Sequence, residues 1–312
     1  MSMTRRTFNK SLVAGVGAAM LGQRAEAAPK FPKGTYVDIH THLGQEWGNR
    51  EPLSAQGLLN WMDQKSIAQS IVLPLISPES WDHPISTDYV LEHTKAHRDR
   101  LIPFCSIDPR TINLGSYKTK VDLLKKYRDA GAKGFGEHKP GVAIDDSRNM
   151  ELFKACAEVG FPVLFHLDNS RNTDKPGLPG LENVLRQIPD GIFIGHAQGW
   201  WASISGDTDQ ATLQQYPDKK VAPGGAIDRL MGKYPNIYGD LSAGSGANSI
   251  SRDLEFGREF LIRRSDRLLF GTDYLAPEQA VPQFKLYGET LKLPRKVKKK
   301  IFRDNARRIL GI

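Results

Sequence analysis

Short runs of β-branched and aromatic residues recur along this chain, and each gap between them is long enough for one amphipathic helix. The runs begin near Tyr36, Ser70, Leu101, Lys133, Phe161, Gly191, Asn236 and Arg267, so successive starts lie 28 to 45 residues apart. A strand, a loop and a returning helix need about 30 residues, and steady alternation of the two element types demands parallel strands. Eight such units predict an α/β fold, a (β/α)8 TIM barrel. Within the gaps Leu58, Leu59, Trp61, Met62 and Ile67 follow a helical period, as do Leu152, Phe153, Cys156 and Val159. The Trp61 stripe reads as helix-to-barrel packing. The sixth gap is the longest and is rich in Gly, Asp and Pro, so Gly199 to Gly225 is expected to be an extended loop over the barrel mouth. A second insertion, Asn169 to Gly180, follows the fifth strand. Barrels build specificity on such loops at the C-terminal ends of their strands. No composition break divides the chain, so residues 28–312 are read as one domain.

Several of these runs end on a metal-ligand type of side chain. His40 and His42 close VDIHTHLG, His166 closes PVLFHLD, His196 closes IFIGHAQG and Asp273 closes LLFGTDY. Neutral imidazoles with a carboxylate suit a divalent ion, zinc first, with manganese or iron also accepted. Alternate residues of a strand face one side, which puts His40 and His42 about 7 Å apart along one face. Asp38 shares that face deeper down and reads as support. In the fourth run, KGFGEHK, Glu137 is a candidate inward-facing carboxylate. A slip of one residue would turn Glu137 outward and bring His138 in. The plainer role for Glu137 is an ion pair with Lys139 or with a neighbouring strand. Asn169 and Arg171, just past His166, are candidate contacts for a substrate carboxylate or amide, and a solvated loop is their rival reading. Trp200 and Trp201 read as an apolar wall over the site, Asp240 and Ser242 as its support. His83, His93 and His97 lie in a loop and a charge-rich helix and read as surface residues.

With this pattern the chain resembles the metal-dependent amidohydrolase superfamily, in its amidohydrolase-related branch. The likeness runs over the whole stretch after the leader, and Asn305-Ala306-Arg307-Arg308-Ile309-Leu310-Gly311 looks like that branch's closing helix. The resemblance implies metal-ligand roles for His40, His42, His166 and Asp273. It makes His196 a ligand in a two-metal site or a polarising group in a one-metal site, and Asp273 the acceptor of a proton from water. Many members carry a carboxylated lysine on the fourth strand, where this chain offers Glu137, so one or two ions are both compatible. The expected activity is hydrolysis of a small-molecule amide, ester or lactone by metal-activated water, with Asp273 and His196 catalytic. The branch also holds decarboxylases, so non-oxidative decarboxylation of a small aromatic or enoic acid is the alternative. A non-catalytic ligand-binding barrel is the third reading.

The N-terminus carries a separate signal. Thr4-Arg5-Arg6-Thr7-Phe8-Asn9-Lys10 is a twin-arginine pattern, followed by an apolar stretch from Ser11 to Leu21 and by Ala25-Glu26-Ala27. That order marks residues 1–27 as a removable export leader and predicts a periplasmic protein. The apolar stretch is shorter than the about 20 residues a membrane span needs, and no cysteine precedes Cys105, so no stable membrane anchor is expected. The leader takes three of the eight net positive charges with it. Much of the remainder lies between Arg295 and Arg308 and reads as a solvated basic helix, not a nucleic-acid surface. Cys105 and Cys156 read as two buried free thiols. The only partner implied is a small-molecule substrate; a homo-oligomer is compatible with the sequence. GxSxG, Walker and CxxC motifs are absent.

Overall fold

The computed structural model describes residues 34–80, 82–111 and 115–312, so the twin-arginine leader and the expected start near Ala28 lie outside the described residues. The barrel strands are β1 (Tyr36–Thr41), β2 (Ile67–Val72), β3 (Leu101–Pro103), β4 (Phe135–His138), β5 (Val163–His166), β6 (Phe193–His196), β7 (Ile237–Asp240) and β8 (Leu268–Leu269). They form two parallel arcs in chain order, β1 to β3 and β4 to β8. Parallel bridges join the arcs at both seams, Cys105 with Phe135 and Thr41 with Tyr274. At the second seam Ile39 N–H donates to the Phe270 carbonyl and His42 N–H to that of Tyr274, each at 3.1 Å. The order is that of an α/β (β/α)8 barrel.

Each strand begins within three residues of its expected start. The largest offset is β2, where Ile67 opens the strand instead of ending the preceding helical stripe. That helix, Ala55–Gln64, stops earlier and is capped by Ser54, whose side chain accepts from Gly57 N–H. Ser86, Ser116 and Asp146 cap the helices Thr87–Thr94, Tyr117–Asp129 and Ser147–Val159 in the same way. The last of these buries Leu152, Phe153, Cys156 and Val159 and ends at Gly160, whose φ of 80° is the left-handed conformation of a helix stop. Cys105 and Cys156 are free and buried.

Two apolar layers result. Val37, Ile39, Ile71, Leu73, Ile102, Phe104, Leu164, Ile194, Tyr238 and Leu269 fill the barrel interior, with Ala306 and Leu310 of the closing helix packed against them. Neighbouring strand residues such as Tyr36, Phe135, Phe165 and Phe193 join the larger layer between strands and helices. The closing helix, Asn305–Leu310, is anchored by Asn305, whose side-chain amide donates to the carbonyls of Ser265 and Leu268 at 2.7 and 2.8 Å. No helix among the described residues is long and apolar enough to cross a membrane.

The long sixth connection differs from a plain loop. Its first residues form the helix Ala197–Ala202, which carries Trp200 and Trp201 into the core. The remainder, residues 203–225, meets the other insertion. Asn169 and Gln210 exchange hydrogen bonds at 2.8 Å, and Gln214 donates to Ser170 Oγ at 2.9 Å.

Candidate metal centre

Strict alternation cannot turn both Ile39 and His40 toward the barrel axis. The β1 ladder shifts register between Asp38 and Thr41, and beyond that irregularity His40 and His42 face inward together. Asp38 therefore leaves their face. Its carboxylate accepts from His40 N–H at 3.1 Å, from Thr272 N–H at 3.0 Å and from Thr272 Oγ1 at 2.6 Å. This clamp ties β1 to the residue before Asp273, and Asp273 N–H donates to the His40 carbonyl at 2.8 Å. Asp273 itself has a φ of 59°, so backbone strain sits where the carboxylate is aimed.

A second irregularity, between Phe135 and His138, decides the fourth strand. Gly136 adopts a φ of 140°, and a Cβ there would lie 2.4 Å from the Leu164 carbonyl oxygen, so only glycine fits. Beyond it Glu137 turns inward. His138 turns outward, bonds Asn149 Oδ1 through Nε2 at 2.8 Å and packs against Phe153. Burial pushes the His138 imidazole down to about 4, so it stays neutral.

The inward side chains converge. His40 Nε2 and His42 Nε2 are 3.1 Å apart, Glu137 Oε2 is 3.5 Å from each, and Asp273 Oδ1 is 3.3 and 3.5 Å from them. Two atoms each about 2.1 Å from one ion and roughly 90 to 110° apart lie about 3.0 to 3.4 Å from each other. The other carboxylate oxygen, Glu137 Oε1, is 2.9 Å from His166 Nδ1 and 3.5 Å from His196 Nε2. Glu137, His166 and His196 thus form a second compact group beside that of His40, His42 and Glu137.

Outer hydrogen bonds fix the tautomers. His42 Nδ1 faces the Leu73 carbonyl at 3.0 Å, which only accepts, so this nitrogen carries the proton. His40 Nδ1 donates to Asp240 Oδ2 at 2.6 Å and His196 Nδ1 to the same oxygen at 2.9 Å. Asp168 Oδ2 takes His166 Nε2 at 2.9 Å. In the neutral rings the Nε2 atoms of His40, His42 and His196 are thereby left with lone pairs toward the centre, whereas His166 lies between two carboxylate acceptors, its Nδ1 also 2.9 Å from Glu137 Oε1. Two bare lone pairs on His40 and His42 3.1 Å apart would repel, and either a proton on His40 or a metal cation between them removes the conflict. The donor set fits one or two divalent ions.

Charge points the same way. Burial would depress the His40 imidazole, but Asp273, Asp240 and Glu137 outweigh it and raise His40 well above its ordinary range. His196 is pushed down, by burial first and then by His40. A proton and a metal ion therefore compete for His40. Metal-free protein gains stability from protonated His40 at low pH and loses it as pH rises through the elevated value, whereas metal uptake expels that proton and strengthens as pH rises. We expect proton release on metal addition, readable by calorimetry in two buffers of different ionisation enthalpy; uptake with no proton release would contradict this electrostatic picture.

The remaining candidates divide. Arg171 reaches the rim, donating to Asp168 Oδ2 at 2.6 Å and to the Glu79 carbonyl at 3.0 Å, so it braces the acceptor behind His166. Asn169 braces the two insertions through Gln210. Trp200 is a correction: it is fully buried, edge-on to Phe165 at 6.1 Å, and belongs to the layer behind the strands instead of forming a wall over the site. Trp201 is buried likewise and donates to the Asp240 carbonyl at 2.8 Å. Asp240 and Ser242 do support the site, Ser242 Oγ donating to Asp240 Oδ2 at 2.7 Å. The sequence reading missed three groups. Asp168 lies two residues past His166, a spacing that could have revealed it. Tyr216, half exposed in the long loop, has its hydroxyl pushed up by partial burial first and then by the charge of Asp273. Glu46, on the turn after β1, is buried beside Lys139, and burial pushes its carboxyl up to about 7.

Barrel and site together fit the class of metal-dependent TIM-barrel enzymes, with candidate ligands on the strand ends. The chain belongs to the amidohydrolase family, whose family model matches residues 37–312. No curated protein matches the sequence. Among solved structures, an uncharacterised TIM-barrel protein from Bordetella bronchiseptica is 19% identical over 88% of this chain and 98% of its own, with a TM-score of 0.61. A probable 2-pyrone-4,6-dicarboxylic acid hydrolase from Acinetobacter baumannii is 13% identical over 89% and 100%, with a TM-score of 0.57. A 5-carboxyvanillate decarboxylase from Novosphingobium aromaticivorans, complexed with manganese and 4-hydroxy-3-methoxy-5-nitrobenzoic acid, is 14% identical over 89% and 96%, with a TM-score of 0.54. At these identities the likeness is one of fold.

Proposed function

We propose that the chain is a two-metal hydrolase of a small-molecule amide, ester or lactone, with zinc as the first-choice ion. The observation that carries this reading is the position of Glu137, one oxygen toward His40 and His42, the other toward His166 and His196. Bound divalent ions supply Lewis acidity and make water a nucleophile near neutral pH. Asp273 keeps its carboxylate 22% exposed while the histidine and Glu137 side chains around it are nearly or fully buried, so it meets the incoming water and takes its proton. His196, its Nδ1–H held by Asp240, turns Nε2 to the centre as a ligand of the second ion; in a one-metal site it would polarise the reacting carbonyl instead. Arg171 and Asn169, in the loop just past His166, are the side chains assigned in this proposal to a substrate carboxylate or amide. We carry the twin-arginine leader, the periplasmic location and the absence of a nucleic-acid partner as part of the same proposal.

Decarboxylation is the second reading, favoured by the manganese-bound decarboxylase among the similar folds. One experiment separates the two. The metal-loaded protein is incubated in 18O-water with a panel of lactones, esters, amides and hydroxybenzoates. Hydrolysis places one 18O in the product acid. Release of CO2 from an acid, with no 18O in the organic product, would overturn the hydrolase reading.

A further inference from the structure

We propose that Lys139 is a movable counter-ion that exchanges Glu137 for Glu46 when the metal centre fills, a step that rests on the metal-site reading above. Lys139 is nearly fully buried, and its Nζ lies 2.7 Å from Glu137 Oε2. That is the same oxygen that faces His40 and His42 at 3.5 Å. The ammonium thus shares the carboxylate oxygen that an ion in this half of the centre needs. A divalent ion and an ammonium on one buried oxygen repel each other strongly, because little solvent screens them.

Glu46 provides the alternative partner. Its side chain is 2% exposed, and among the described residues neither carboxylate oxygen accepts a hydrogen bond. A buried carboxylate left in that state is costly and calls for an explanation. Its Oε1 lies 3.8 Å from Lys139 Nζ, so a movement of about 1 Å makes a charge-assisted hydrogen bond. Glu46 itself is held in place. Gly44 and Leu53 pair across its turn, and its carbonyl accepts from His83 N–H at 3.2 Å. The flexible lysine stem is the part that moves. Filling the centre therefore moves the ammonium off Glu137 and satisfies Glu46 at once, and Glu46 sets how tightly the ion is held without touching it.

The test is a Mn2+ titration of the metal-free full chain, read by the EPR signal of free Mn2+ and by calorimetry. It compares wild type, Glu46→Gln, Lys139→Met and the double variant, with circular dichroism reporting folding. In Glu46→Gln the displaced ammonium loses the carboxylate that would receive it, and Mn2+ affinity falls by roughly ten- to a hundredfold. Lys139→Met removes the competitor and tightens binding by about tenfold, and in that background Glu46→Gln has little further effect. Wild-type affinity in Glu46→Gln, an equal loss in the Lys139→Met background, or weaker binding in Lys139→Met would each overturn the exchange. If Glu46→Gln does not fold, the Lys139→Met result decides. Wild type that takes up no Mn2+ overturns the metal-site reading and the exchange together, whereas normal wild-type uptake with no Glu46 effect overturns the exchange alone.

Discussion

Replacing Asp240 with alanine lowers the metal affinity of the centre by about ten- to a hundredfold, the usual cost of losing a group that orients ligands. Asp240 is fully buried, and its Oδ2 receives three donors, His40 Nδ1 at 2.6 Å, His196 Nδ1 at 2.9 Å and Ser242 Oγ at 2.7 Å. Its Oδ1 accepts from Ser242 N–H at 2.9 Å. One carboxylate thereby sets the tautomer and the aim of a histidine in each half of the site. Without it both rings are free to present N–H to the ion. Two buried imidazole N–H groups also lose their acceptor, at roughly 1–3 kcal/mol each. The metal-free variant should therefore melt several degrees lower. Asp240→Asn keeps the shape but can accept from only part of the set, so it should fall between. Chelator competition and thermal melts of the three proteins check this; Asp240→Ala with wild-type metal affinity would remove Asp240 from the site.

Glu137→Ala has the larger effect on stoichiometry. The substitution takes one ligand from each half of the centre. The half facing β1 keeps His40, His42 and Asp273, which is enough for an open three-ligand site. The other half keeps only His166 and His196, too few to hold an ion. Lys139 is also left near the centre without its carboxylate, adding repulsion to the lost bonds. One ion, bound more weakly, is then expected in place of the two of the proposed centre.

Much of this was legible in the sequence because the barrel writes itself in spacing. Eight strand-like runs at helix-length intervals gave the fold, and the ligand types at the ends of the first, fifth, sixth and eighth runs gave most of the site. The ends of β1 and β4 were harder. Period-two alternation placed Asp38 on the face of His40, but the register shift after Asp38 separates them. The same kind of irregularity at Gly136 decides whether Glu137 or His138 faces the centre, and only the backbone shows it. Trp200 misled because a Gly-rich neighbourhood read as loop, whereas His196 is followed at once by a short helix that turns the indole into the core. Glu46 and Lys139 lie 93 residues apart, and nothing local in either segment signals that they meet.

The most direct test is metal content per chain, by elemental analysis of protein purified without chelator, for wild type and Glu137→Ala. A centre bridged by Glu137 predicts about two equivalents in the wild type and one or fewer in the variant. About one equivalent in both would make Glu137 a structural partner of Lys139 and contradict the two-metal account.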